Sequence, residues 1–346
     1  MKKQQLFNKI NRKDLKKALL NEDFNRFTVS FYKYCIIDSP DFFRDDLYQK
    51  WNKLKIFGRV YIAFEGINAQ ISIPEHFWKQ FLSTLDTIQE LKNISIKRAL
   101  QDGKSFYKLT VKVRKELVAY NIPNNSYNME KTGKHLTAEQ YNKALENPET
   151  LIVDMRNYYE SEIGRFQGAI IPNVETSREL LPEVKNILKG KENKEVLLYC
   201  TGGIRCEKAS SYLIKNGFKN VNQLQGGIIQ YAHDVKEKGL RSKFLGKNFV
   251  FDERLGERVT DDVIASCHIC NSPCDNHTDC KNDACHILFI QCNECSESFE
   301  GCCSKECKDF ATLPIDEQKI LRKDPSKMVS KTFFDSRVKP RLKAEI

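Results

Sequence analysis

The sequence predicts a three-part α/β protein: an N-terminal ferredoxin-like α+β sandwich, a central α/β domain on a parallel sheet, and a cysteine-rich C-terminal region. Three observations predict it. Residues 26–122 read as strand, helix, strand, strand, helix, strand, the order of that sandwich. Short apolar strands alternate with helices over residues 135–240, which implies a mainly parallel sheet covered on both faces. Ten of the thirteen cysteines lie between Cys267 and Cys307. A chain of 346 residues is too long for one small core and suits two or three domains.

The elements follow in order. Residues 1–25 form a basic arm with no continuous apolar run, so a secretory signal is not expected. FTVSFYKYCII is β-rich and DDLYQKWNKLKIF has helical spacing; GRVYIAFEGINAQISI reads as two strands turning at Glu65 and Gly66. PEHFWKQFLSTLDTI opens with proline at a first helical position, and SFYKLTVKVRKELVAY alternates apolar and polar residues. Residues 123–134, rich in Asn with Pro and Gly, break the pattern as a linker. Beyond it, TLIVDM, EVLLYC and FKNVNQL are short strands, and CEKASSYLIKNG is a helix. Residues 241–346 are cysteine-rich and then basic.

Composition narrows the class. Hydrophobic residues make up 40% and charged residues 29%, an ordinary globular balance, and no run approaches the roughly 20 apolar residues of a membrane span. A net charge of +10 favours an anionic partner, nucleic acid first. A cysteine cluster that follows two cysteine-poor domains, with no export signal, points to a reducing cytoplasmic compartment and to metal ligands rather than a disulfide scaffold.

The segment that carries chemistry is EVLLYC-TGGIR-CEKAS. A buried strand ends at Cys200, where open α/β sheets place ligands. Thr201, Gly202, Gly203 and Ile204 let backbone N–H groups converge, the following helix N-terminus adds positive partial charge, and Arg205 adds a full one. All of these favour a thiolate at Cys200 and would cradle an attached anionic sulfur or a transferring oxyanion. The plain alternative is an inert cysteine packed at a strand end. The Cys200-to-Arg205 loop is one residue shorter than the loop with which cysteine phosphatases surround phosphate, so phosphatase chemistry ranks low. Cys206 reads as a packing residue before a resolving thiol.

The block IVDMRNYYESEIGRFQGAI (152–170), the loop CTGGIR and the block NQLQGGI (222–228) make residues 135–240 resemble a rhodanese domain. That resemblance places Asp154 and Arg156 near the active loop, as supporting residues or as a salt-bridged brace with Glu160. With YIAFEGINAQISI in an acylphosphatase-like front end and CHICNSPCDNHTDC and QCNECSESFEGCC behind, the whole chain resembles the rhodanese-like tRNA uridine hydroxylases. The resemblance implies an oxygen-dependent oxidoreductase that forms 5-hydroxyuridine at the wobble position, with Cys200 and Arg205 in its site. Molecular oxygen would be its co-substrate and tRNA its partner. Lys112, Arg114 and Lys115 are candidates for RNA phosphates, and Phe64 and Tyr107 for base stacking. No flavin or nicotinamide fingerprint is present.

Cys267-x2-Cys270 and Cys292-x2-Cys295, 21 residues apart, form two knuckles with zinc-ribbon spacing. Cys274, Cys280, Cys285, Cys302, Cys303 and Cys307, with His277 and His286, hold material for a second site. Disulfides are the competing reading. Three function classes stay open: an RNA hydroxylase, a persulfide sulfurtransferase using the same loop, and a non-catalytic RNA-binding module.

Overall fold

The computed structural model describes residues 6–285 and 287–323; the basic tail from Ser330, the first five residues and His286 lie outside them. The described part of the N-terminal arm contains a helix, α1 (Arg12–Leu20), capped by the Asn11 side chain accepting from the Asp14 amide. It is not merely solvated: Leu15 and Leu19 are buried, and Lys16 pairs with Glu253.

The first sheet is formed by β1 (Arg26–Tyr34), β2 (Phe57–Ala63), β3 (Gly66–Pro74), β4 (Lys97–Arg98) and β5 (Leu109–Val113), in the order β4-β1-β3-β2-β5. The four antiparallel strands β4, β1, β3 and β2 carry the ferredoxin-like order. The expected last strand, in SFYKLTVKVRK, is β5, and it does not sit beside β1. It adds at the opposite edge, parallel to β2, with Gly58 opposite Leu109. The place beside β1 goes to the two residues of β4.

Side chains alternate across these strands because a strand has a period of two. Val29, Phe31, Val60, Ile62, Ile67, Ala69 and Ile71 point to one face. There they pack with Leu47 and Trp51 of α2 (Pro40–Lys53) and Phe81 and Leu85 of α3 (Trp78–Asp86). Thr28, Ser30, Tyr32, Arg59, Tyr61, Asn68 and Gln70 point to the other face, which no helix of this unit covers. This second face looks onto the central domain.

The central sheet runs β6-β10-β9-β7, all parallel, from β6 (Lys134–Leu136), β7 (Leu151–Asp154), β9 (Glu195–Tyr199) and β10 (Asn220–Leu224); β8 (Gly164–Phe166) lies outside it. Val196 and Leu198 face α6 (Ser177–Ile187) and α7 (Ile204–Lys215). Leu197 and Tyr199 face α4 (Ala138–Ala144) and α8 (Gly227–Lys238). A short helix α5 (Tyr158–Glu162) follows β7. Both faces are covered, which is why the strands read as nearly continuous apolar runs.

The C-terminal region begins with β11 (Phe244–Asn248), which pairs with β8 and with β12 (Glu257–Arg258). A two-stranded hairpin of β13 (His277–Asp279) and β14 (Leu288–Ile290) follows, then α9 (Asn293–Ser298), α10 (Lys305–Thr312) and α11 (Ile315–Lys323). No helix among the described residues is long and apolar enough to cross a membrane.

Candidate active site

Cys200 is the first residue past β9, and the loop it opens is tied down at both ends. The first turn of α8 donates to it: the Ile228 amide bonds the Cys200 carbonyl at 3.0 Å and the Ile229 amide bonds the Thr201 carbonyl at 3.2 Å. That contact demands glycine at 227. Its φ is +70°, and a Cβ there would stand 2.6 Å from the Cys200 oxygen. The paired glycines of the NQLQGGI block therefore let a helix N-terminus abut the active loop.

Within the loop, Gly203 takes φ +101° and turns its amide back to the Cys200 Sγ at 3.1 Å. Burial pushes the Cys200 thiol up. A hydrogen bond from the Cys206 thiol, the charge of Arg205 and the amides of Cys206 and Gly203 more than offset it, and the pKa falls to about 6. Burial and the neighbouring Cys200 thiolate hold the thiol of Cys206 far above the ordinary range. The thiol read as packing therefore also helps to lower the pKa of Cys200.

Arg205 is less free than its motif suggests. Its Nη1 and Nη2 donate to the two carboxylate oxygens of buried Glu160 at 2.6 and 2.8 Å, and Nη2 also reaches Thr201 Oγ1 at 3.3 Å. What it offers Cys200 is chiefly charge, oriented by Glu160. The carbonyl of Arg205 accepts from the Tyr120 hydroxyl at 3.1 Å, so the segment before the linker pins the same helical turn.

Asp154 and Arg156 do not line the cavity. Both are fully buried. Asp154 accepts from Arg156 Nε at 2.9 Å and Nη2 at 2.6 Å, from Ser161 Oγ at 2.8 Å and from the Tyr199 hydroxyl at 2.7 Å. They brace the end of β7 to α5 and to the residue before Cys200.

Cys200 opens into a cavity of about 320 Å3 whose floor is Cys200, Thr201, Gly202, Ile204 and Arg205. Its roof is the uncovered face of the first sheet, and Val250–Asp252, Arg254 and Glu257 add a C-terminal wall. Residues not singled out in the sequence stand here. Tyr32 donates to Glu207 of α7 at 2.9 Å, and the Lys97 ammonium lies 4.7 Å from the centre of the Tyr32 ring. Lys97 is the only lysine among the lining residues, is 8% exposed, and forms no ion pair among the described residues. Burial lowers its pKa, while the opposite charges of Cys200 and Glu207 pull the other way. The signal that finds it is spatial, since Cys200 lies in another domain.

The candidates for RNA contact scatter. Phe64 and Lys112 are exposed, Arg114 stacks 5.3 Å from the centre of the Tyr61 ring, and Tyr107 is flanked by Arg12, Lys16 and Lys108. None of them lines the Cys200 cavity. Glu65, at the turn between β2 and β3, is a bridge: Lys208 of α7 donates to it at 2.8 Å and to Glu116 at 3.2 Å, and the Leu117 amide donates to it at 2.7 Å. In the C-terminal region the Sγ atoms of Cys267, Cys270, Cys292 and Cys295 all lie within 4.8 Å of one another.

A buried, acidified cysteine in a Gly-Gly-Ile-Arg loop, at the end of a parallel strand and roofed by an acylphosphatase-like sheet, defines a rhodanese-domain protein with a built cavity. Family models agree in three places: a UPF0176 acylphosphatase-like domain matches residues 26–117, a rhodanese-like domain 137–234, and a rhodanase C-terminal domain 245–308. The chain is 49% identical over 343 residues to a tRNA uridine(34) hydroxylase of Leptospira interrogans, covering 99% of this chain and 93% of that relative. It is 53% identical over 319 residues to one of Photorhabdus laumondii, covering 92% and 91%. The chain belongs to the tRNA uridine(34) hydroxylase family. Among solved structures, the Alr3790 protein from Anabaena sp. is 22% identical, covering 32% of this chain and 91% of that one, with a TM-score of 0.26.

Proposed function

We propose that this protein hydroxylates uridine 34 of tRNA at C5, with dioxygen as co-substrate, and that Cys200 is the nucleophile. The observation that carries the reading is the half-identity with tRNA uridine(34) hydroxylases across nearly the whole chain. The cavity supplies the means. At about 320 Å3 it stands at the small end of ligand pockets, roughly 300–1,000 Å3, and suits one flipped-out nucleoside. A terminal persulfide would need the loop but not the roof of Tyr32, Asn68, Gln70, Arg59 and Lys97, which disfavours simple sulfur transfer.

The chemistry follows from the thiolate. Cys200 Sγ adds to C6 of the uracil, and the C5–C6 π pair moves to C5 and O4 as an enolate. Lys97, an ammonium in a water-poor site, stabilises that developing charge. C5 is then nucleophilic and accepts an oxygen atom; loss of the C5 proton and departure of the thiolate restore the ring. Replacing C5–H with C5–OH removes two electrons from the base. With dioxygen as oxidant, two thiols going to a disulfide supply the two further electrons and two protons that carry the second oxygen to water. The basic chain meets tRNA through phosphate attraction, in the cytoplasm. Cys267, Cys270, Cys292 and Cys295 would hold one structural zinc ion, a four-thiolate set that the ion favours.

The test is incubation of undermodified tRNA with the purified chain and a thiol reductant under isotopically heavy dioxygen. Heavy oxygen in 5-hydroxyuridine supports the reading. Product carrying oxygen from water, or none while thiosulfate-to-cyanide transfer proceeds, overturns it in favour of another oxidant or of sulfur transfer.

A further inference from the structure

The six cysteines left over by the first tetrad do not form a loose pool. The Sγ atoms of Cys280, Cys285, Cys303 and Cys307 gather within 4.8 Å of one another, and all four residues are buried. Cys274 and Cys302 are also buried but stand outside the group, although Cys302 is the immediate neighbour of Cys303. In a regular tetrahedron with zinc–sulfur bonds of about 2.3 Å, sulfurs stand about 3.8 Å apart. Cys285 and Cys303 are 3.7 Å apart, and Cys303 and Cys307 are 3.6 Å apart. The first tetrad shows the same spacing, 3.6 Å between Cys270 and Cys292. A disulfide would need about 2.05 Å, far shorter than any of these separations.

We propose that Cys280, Cys285, Cys303 and Cys307 bind a second structural zinc ion, interleaved with the first in a cross-brace. The chain order carries the topology. Cys267 and Cys270 belong to the first tetrad, Cys280 and Cys285 to the second, Cys292 and Cys295 to the first, Cys303 and Cys307 to the second. The β13–β14 hairpin separates the two. Its turn end bears Cys280 and Cys285, and its open end leads to Cys292.

Local structure prepares the ligands. The Cys303 amide donates to Cys280 Sγ at 3.4 Å, and Ser304 caps α10 by accepting from the Cys307 amide. The core around them is too small to hold itself. Ile287 and Phe289 are its buried non-cysteine members, with Ile269 and Ala311 partly buried beside them. A core of that size is where small modules use metal as a staple. Asp275, in the loop between the first two ligand pairs, forms ion pairs with Lys247 of β11 and Arg258 of β12 at 2.7 Å each. Those strands flank the segment that walls the Cys200 cavity, so the braced module anchors that wall.

The experiment is a metal count on the full chain, purified under reducing conditions without added metal, by elemental analysis and native mass spectrometry. Two zinc ions per chain are expected, falling to one in Cys303→Ser and staying at two in Cys302→Ser. A wild-type chain with one ion, none, or iron in place of zinc overturns the proposal, as does an equal loss in both variants. Should Cys303→Ser fail to fold, cobalt loading of the metal-stripped wild-type chain decides. A thiolate-to-cobalt charge-transfer band that saturates at two equivalents supports the second site, and saturation at one refutes it.

Discussion

Removing the Cys206 thiol isolates one contribution to the acidity of Cys200. In the wild type the pKa is about 6, so at pH 7 about 90% of Cys200 is thiolate. The Cys206 thiol donates to that sulfur, and a hydrogen bond to a charged group is worth about 1.5–3 kcal/mol. At about 1.4 kcal/mol per pKa unit, Cys206→Ala should raise Cys200 by about one to two units, to about 7–8. Arg205, the Gly203 amide and the neighbouring helix N-terminus stay in place and keep it below an ordinary thiol. The direction is set by charge: the thiolate is the reactive form, so reactivity rises as pH climbs through the pKa and then levels off. The assay is alkylation by iodoacetamide across pH 5–10, read at Cys200 by peptide mass spectrometry, with thermal unfolding to show an intact fold. The hydroxylation profile should shift with it. A wild-type inflection near 9, or an unmoved inflection in Cys206→Ala, would refute the account of how the thiolate is made.

The other predictions concern groups around that thiolate. Lys97→Met should cost roughly 10²–10³-fold in hydroxylation rate while leaving the melting temperature unchanged or higher, because the buried ammonium has no ion pair among the described residues to lose; activity within about threefold of wild type would remove Lys97 from the chemistry. Asp154→Asn leaves the Arg156 charge buried without its partner and should destabilise the fold by about 3–5 kcal/mol, read as a lower urea midpoint. Lys208→Met strands Glu65 and Glu116 between the first sheet and α7. Both carboxylates keep some exposure, so a loss of about 2 kcal/mol is expected, seen in thermal unfolding together with a weaker grip on tRNA.

Much of this was legible in the residues, for local reasons. EVLLY declares a strand buried on both faces, and Gly202 and Gly203 declare a loop that needs bare backbone. Cys200 was found because its strand, loop and helix are contiguous. The order of the first domain was readable too, but its edges were not. Two residues at Lys97 are too few to show a period, while the alternating residues of β5 say strand without saying which edge they join. The polar face of the first sheet was visible as alternation in TVSFYKY and INAQIS. That it roofs Cys200 depends on how two domains dock, through Tyr32 on Glu207 and Glu65 on Lys208. The role of Arg205 as a clamped charge needed Glu160, brought beside it only by the turn after β7. Among the cysteines, the two CxxC knuckles stood out by their equal spacing. The second tetrad, with four residues in one pair and three in the other, was hidden beside Cys274 and Cys302.

The most direct test of the central claim is nucleoside mass spectrometry of undermodified tRNA incubated aerobically with the wild-type chain and with Cys200→Ala. The account predicts one added oxygen on uridine 34 with the wild type and none with Cys200→Ala, both proteins folding alike. Equal hydroxylation by the two would contradict it, and would take Cys200 out of the reaction.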